Sequence, residues 1–212
     1  PQQIEDSVFF CSGIGIKLTG SANYFEGVHA FTGAAERYPL GAVYVPAEGA
    51  SDNTAKGEQR AGMHGNRFEH CYWDYSGIRI ENPNMIEITN NYIIGLPSRQ
   101  PDPAFIELVA VGGSDAISIT GMRFTGNVFR SAGAEAEAGV LTAFKLNETN
   151  GQFDRQGITN SVVEGNSYQG VRGSATRVQR SLYQTPPSLS AAWHFDLCDD
   201  MLFLNRTNQT SS

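Results

Sequence analysis

Positive charge is what this chain has least of. Its 15 lysines and arginines stand against 22 aspartates and glutamates, giving a formal net charge of −7 and a pI near 5.1. Contact with phosphates needs a basic stripe, so no nucleic-acid partner is expected. Charge of either sign is sparse at 17% of residues, and Lys and Glu are too few for the solvated faces of a helical bundle. There are three cysteines, Cys11, Cys71 and Cys198. That odd number, without CxxC or Cys/His spacing, implies neither a disulfide framework nor a zinc site and leaves them as small buried apolar residues. No apolar run approaches the ~18 residues of a membrane span, and no charged-then-apolar leader is visible. No Asp/Asn cluster has the spacing of a calcium loop, so no metal and no other cofactor is expected, a site assembled across distant segments aside.

What is present is glycine (23 residues), with abundant Asn, Ser and Thr and a hydrophobic content of 40%. This balance favours many short strands joined by turns. One short pattern recurs: Asn, any residue, then a large apolar residue. It occurs at Asn23-Tyr24-Phe25, Asn66-Arg67-Phe68, Asn91-Tyr92-Ile93, Asn127-Val128-Phe129 and Asn166-Ser167-Tyr168. Four copies also carry an apolar residue three positions before the Asn (Met63, Ile88, Phe124, Val163), and the first departs with Gly20. The irregular spacing excludes a propeller or helical repeat but suits coils of roughly 22–25 residues that carry loops of varied length. An inward Asn at a bend satisfies polar groups that a narrow core would otherwise strand, and it can bond its equivalent one coil away. All five are therefore expected in one inward ladder. Alternating segments supply further strands: Ile14 to Leu18, Ile78 to Ile80, Ile86 to Ile88, Phe105 to Val109, Ile117 to Ile119 and Ala143 to Leu146.

Residues 77 to 93, Gly-Ile-Arg-Ile-Glu-Asn-Pro-Asn-Met-Ile-Glu-Ile-Thr-Asn-Asn-Tyr-Ile, resemble the paired strands of the pectate-lyase-like superfamily. The resemblance covers about residues 4 to 170. It implies an all-β chain folded as a right-handed parallel β-helix of five to six coils. It does not select a reaction, because the superfamily includes polysaccharide lyases, glycoside hydrolases, fructosyl transferases, epimerases and phage tailspikes. Residues 1–185 are assigned to the coils and 186–212 to a tail, with the boundary at Thr185-Pro186-Pro187-Ser188, since paired prolines cannot donate to a sheet ladder. The tail stretch Trp193 to Leu204 is similar to the segment that leaves the helix in tailspike-like proteins. Strand-like sequence starts almost at once after Pro1, as expected of a fragment of a longer chain. Two insertions, Gly33 to Gly65 and Ser131 to Gly139, and a proline-rich loop, Leu96 to Ala104, stand out as loops on a rigid scaffold. The sequons at Asn147, Asn205 and Asn208 fit a secretory pathway, and a secreted, cell-surface or virion location is expected over a cytoplasmic one.

If the Asn residues stack, alternation gives two outward columns: Tyr24, Arg67, Tyr92, Val128, Ser167 and Glu26, Glu69, Ile94, Arg130, Gln169. Glu26 and Glu69 then sit on adjacent coils about 4.8 Å apart. Paired carboxylates are the usual way to hold a proton donor beside a base or nucleophile, and a separation near 5 Å favours retaining over inverting glycoside hydrolysis. Tyr24 and Tyr92 offer flat faces to sugar rings, and Arg67 a donor to a hydroxyl or carboxylate. His29, His70 and Asp74 supply an alternative acid or base. The bland alternative is a solubilising row of glutamates neutralised by Arg67, with hydrogen-bonded or solvated imidazoles. Trp73 and Tyr75 are either sugar platforms or core. Two functions compete: a polysaccharide-binding and polysaccharide-degrading β-helix (glycoside hydrolase or lyase, tailspike-like), or a non-catalytic receptor-binding or structural module of a fibre or surface protein. Outward Val8, Phe10, Ile94 and Val128 suggest cover by a second copy, in a homotrimer.

Overall fold

The computed structural model describes residues 2–11, 16–18, 22–32, 43–47, 66–74, 77–95, 104–112, 116–131, 142–155, 157–171 and 173. The strands run coil by coil. The first coil has β1 (Gln3–Glu5), β2 (Val8–Cys11) and β3 (Ile16–Lys17), and the second β4 (Tyr24–Glu26), β5 (His29–Thr32) and β6 (Val43–Val45). The third has β7 (Arg67–Glu69), β8 (Tyr72–Asp74) and β9 (Ile78–Glu81), and the fourth β10 (Glu87–Thr89), β11 (Tyr92–Gly95) and β12 (Ala104–Val111). The fifth has β13 (Arg123–Thr125), β14 (Val128–Ser131) and β15 (Thr142–Asn150), and the sixth β16 (Val162–Glu164) and β17 (Ser167–Gln169).

Each strand pairs in parallel with its counterpart one coil away. This gives a first sheet β1-β4-β7-β10-β13-β16, a second β2-β5-β8-β11-β14-β17 and a third β3-β6-β9-β12-β15. The result is a right-handed parallel β-helix of about six coils, the hand that a twisted strand feeding a parallel crossover prefers. No helix occurs among the described residues.

Period-two alternation sends one residue of each short strand into the lumen, and parallel register stacks like upon like. The first sheet contributes Ile4, Phe25, Phe68, Ile88, Phe124 and Val163. The second contributes Phe9, Ala30, Trp73, Ile93, Phe129 and Tyr168. The Phe25 and Phe68 rings stack at 4.9 Å, with Trp73 edge-on to Phe68 at 5.8 Å. Trp73 is thus core, wholly buried, and Cys71 is buried as expected. The side chains of Cys11 and Cys198 lie outside the described residues, as do Tyr75, Asn205, Asn208, the tail, and most of the insertions and the proline-rich loop.

The five asparagines form two ladders, which corrects the single ladder expected. Asn23 and Asn66 open strands of the first sheet, and Asn66 Oδ1 accepts from both the backbone N–H and the amide of Asn23 at 2.9 Å. Asn91, Asn127 and Asn166 open strands of the second sheet, linked by equivalent bonds of 2.9 to 3.1 Å. The reason is geometric. In all six coils the second strand starts five residues after the first: 3 to 8, 24 to 29, 67 to 72, 87 to 92, 123 to 128 and 162 to 167. Either corner accepts an inward Asn or a buried apolar residue: Val28 and Cys71 stand at the second corner where Asn23 and Asn66 hold the first, and Ile86 and Met122 stand at the first where Asn91 and Asn127 hold the second, so the Asn motif moves from one corner to the other between the third and fourth coils.

The bend between first and second strands also repeats. Asp6, Gly27, His70, Asn90, Gly126 and Gly165 occupy it, all with φ between 44° and 68°. A Cβ on Gly126 would overlap the amide oxygen of Asn90 one coil below, so glycine there serves both the left-handed backbone and the close approach.

Candidate functional site

Residues of the first sheet that alternate with the core form two outward columns. One runs Gln3, Tyr24, Arg67, Glu87, Arg123, Val162, and the other Glu5, Glu26, Glu69, Thr89, Thr125, Glu164. Glu26 and Glu69 are register partners on adjacent coils, placed about one strand spacing, ~4.8 Å, apart. The Tyr24 hydroxyl joins them, donating to Glu26 Oε2 at 2.8 Å and lying 3.3 Å from Glu69 Oε2. The phenol is pushed up to about 12, chiefly by its hydrogen bond to Glu26, then by partial desolvation and by the charges of Glu26 and Glu69. It therefore keeps its proton across the physiological range.

His70 stands at the bend after β7, and its left-handed backbone turns the ring back so that Nδ1 lies 3.7 Å from Glu26 Oε1. On the other side of Tyr24, the Arg67 guanidinium lies 5.9 Å from the ring centroid. Arg67 also binds one oxygen of Glu87, Oε2, through Nε at 2.8 Å and Nη2 at 2.7 Å. Arg123 Nε approaches the other oxygen of Glu87 only to 4.0 Å.

Two depressions flank the carboxylate pair. One, of about 420 Å³, runs along the edge where strands of the first sheet begin and is lined by Tyr24, Arg67, Met85, Glu87 and Arg123 among others. The other, of about 390 Å³, lies at the bend and is lined by Glu5, Asp6, Glu26, Gly27 and His70. Among the described residues, no group of three or more His, Cys, Asp or Glu has the arrangement of a metal site.

The structure thus brings together Tyr24, Glu26, Arg67, Glu69 and His70. It does not bring Tyr92, His29 or Asp74 to them. Tyr92 was expected in the column of Tyr24 and Arg67. It belongs to the second sheet, between Tyr72 and Val128 in register, because Asn91 opens the second corner. Its ring stacks on Tyr72 at 5.4 Å, and His29 meets Tyr72 edge-on at 4.4 Å, so the three make an aromatic column on the neighbouring face. Asp74 takes a register position between Phe31 and Ile94 in that sheet, and its side chain lies outside the described residues. Arg130 and Gln169 follow the same shift.

Glu87 and Arg123, which replace Tyr92 and Val128 in the column, escaped the sequence reading. The signal for them was the departing copy of the motif. An Asn of the second corner has the inward residue of the first strand three positions before it, as Ile88, Phe124 and Val163 are, whereas Asn23 of the first corner has Gly20; Asn66, also of the first corner, has Met63 there and hides the difference.

Among known proteins, the chain is similar to the polygalacturonase QRT3 of Arabidopsis thaliana, at 26% identity over 205 residues. The match takes in 97% of this chain and 35% of that protein, so the chain spans about a third of the length of the curated relative it matches. No family model matches the chain. No solved structure matches it either.

Proposed function

Because the chain is a right-handed parallel β-helix of the pectate-lyase-like superfamily, we propose that it binds an extended polysaccharide across the first sheet and hydrolyses it with Glu26 and Glu69. The observation that carries this reading is the pairing of the two carboxylates on adjacent coils under one tyrosine hydroxyl, with a depression on either side. In such a pair one carboxyl protonates the glycosidic oxygen while the other attacks the anomeric carbon or activates water. A separation near one strand spacing, ~4.8 Å, suits direct attack and retention. Tyr24, in this reading, is a holder of the carboxylates as well as a wall of the sugar site. The similarity to a polygalacturonase makes a pectin-type polygalacturonate, met outside the cell, the proposed substrate.

The test is Glu26→Gln and Glu69→Gln, assayed by release of reducing ends from polygalacturonate. Turnover is expected to fall by about 10²–10⁴ in each. The melting temperature should shift little, because Glu→Gln keeps an acceptor for the Tyr24 hydroxyl and a half-exposed pair of like charges contributes little to folding. Near-parental turnover in both variants overturns the assignment. Products with unsaturated, ultraviolet-absorbing ends would replace hydrolysis with elimination. A binding-only module is the second reading, and what favours it is that the Tyr24 hydroxyl already engages both carboxylates.

A further inference from the structure

We propose that the depression along the leading edge of the first sheet is a subsite for a sugar carboxylate, gripped by Arg67 and Arg123, and that Glu87 occupies it as a built-in competitor. The inference rests on the reading of this sheet as the polysaccharide face and assigns to it residues that the carboxylate pair does not involve.

Three observations converge. First, the cavity wall holds two guanidinium groups and one carboxylate, Arg67, Arg123 and Glu87, a net positive spot on a chain of net charge −7. Second, the sharing is unequal. Arg67 puts two nitrogens on a single oxygen of Glu87 at 2.7 and 2.8 Å, whereas Arg123 reaches the other oxygen only at 4.0 Å and remains 59% exposed. A guanidinium matches a carboxylate best through two parallel N–H···O bonds, and neither arginine makes that fork with Glu87. An incoming carboxylate therefore finds donors still to be filled. Third, the floor is partly apolar. Met85, 51% exposed with φ of 47°, is turned outward at the rim, a strained position for an unbranched hydrophobe. A thioether beside two guanidiniums suits a ligand that is a ring of C–H groups bearing one anion.

The placement fits a chain-like ligand. Tyr24 lines this cavity and also bonds Glu26 and Glu69, so the carboxylate-binding spot and the paired glutamates share one wall. They lie one pleat repeat apart along the strand, about 6.6 Å. The other depression is lined by Glu5, Asp6 and Glu26 and repels an anion. A polyuronate is thereby held in one direction across the sheet, carboxylate toward the arginines.

The experiment reads binding, not turnover. Trigalacturonate and its fully methyl-esterified form are titrated calorimetrically against the Glu69→Gln protein, alone and combined with Arg123→Gln, Arg67→Gln or Glu87→Gln, each checked for a cooperative melt. Arg123→Gln and Arg67→Gln are expected to weaken trigalacturonate about tenfold, the scale of one charge-assisted contact, and to leave the ester within about twofold. Glu87→Gln keeps the shape, removes the competing charge and is expected to tighten trigalacturonate several-fold. Affinity for trigalacturonate unchanged by both arginine substitutions, or weakened by Glu87→Gln, overturns the proposal, as does equal loss of the ester. If the arginines fill a structural role only, both ligands and the melt move together. A failure of the catalytic reading appears elsewhere, as retained turnover in the Glu26→Gln and Glu69→Gln proteins, and leaves these affinities untouched.

Discussion

A phenol has one proton to give, and Tyr24 has two carboxylates asking for it. The bond to Glu26 is the shorter, 2.8 against 3.3 Å, and His70 stands on the side of Glu26. The pair is therefore not symmetric, although its residue types are. A pH consequence follows from the phenol. Folding raises it from 10.0 to about 12, so whatever the neutral hydroxyl adds to stability is complete below pH 10 and is lost as pH climbs through about 12. Tyr24→Phe lacks that contribution at every pH. The gap in melting temperature between parent and variant is expected to stay level up to pH 10 and to close between pH 10 and 12. A gap that widens over that window would contradict the assignment. The sequence alone made Glu26 and Glu69 neighbours, because two adjacent Asn-x-apolar motifs shared one corner. It could not reveal the tyrosine bridge, which depends on rotamers, and it passed over Glu87 because a single Asn register carries Tyr92 into that place.

At the scale of the element, the corners set the register that the strands, mostly three or four residues long, cannot set for themselves. Asn127 is the middle rung of the second-corner ladder. Its amide donates to the Ile88 carbonyl at 2.8 Å and to Asn166 Oδ1, and its Oδ1 accepts from the backbone and amide of Asn91. Asn127→Ala leaves these buried groups without partners and is expected to cost about 3 kcal/mol in denaturant unfolding, against about 1 kcal/mol for the half-buried Asn166→Ala. The bend beside it gives a second comparison. Gly165→Ala meets only the Gly126 backbone nitrogen at 3.7 Å and should cost the left-handed penalty alone, about 1–2 kcal/mol. Gly126→Ala adds the collision with Asn90 and should cost more, with the excess recovered in the Gly126→Ala/Asn90→Gly double variant. Equal costs at the two glycines would remove Asn90 from the account. These corners were half legible. Inward asparagine was readable from the motif, but the sharing of that motif between two corners was hidden, because a 20-residue coil plus a five-residue step looks like one longer repeat.

For the whole molecule, each described coil pairs with its neighbours, so stability accumulates by stacking. The parallel β-helix was legible because the repeat, the glycine content and the strand alternation agreed with one another. The assembly was not, since outward apolar residues are common on folded surfaces. Val8 is 65% exposed, while Ile94 and Val128 are only half-buried and the Phe10 side chain lies outside the described residues. Cover of this second-sheet face by other copies remains our proposal. Light scattering is expected to give three times the 23.0 kDa of one chain, and a purely monomeric mass would end it. The fixed five-residue step has a further meaning for how such a protein changes over generations. Arg67 and Glu87 hold equivalent places one coil apart, so a deletion of residues 67 to 86 joins Asn66 to Glu87 without disturbing either corner. It sets Tyr24 beside Glu87 and Glu26 beside Thr89. Loss of one coil thus erases Glu69 and the chemistry proposed for it while sparing the scaffold, and duplication would do the reverse. In this architecture a pair of facing carboxylates is gained or lost in units of a coil, by a splice in the gene as well as by point substitution.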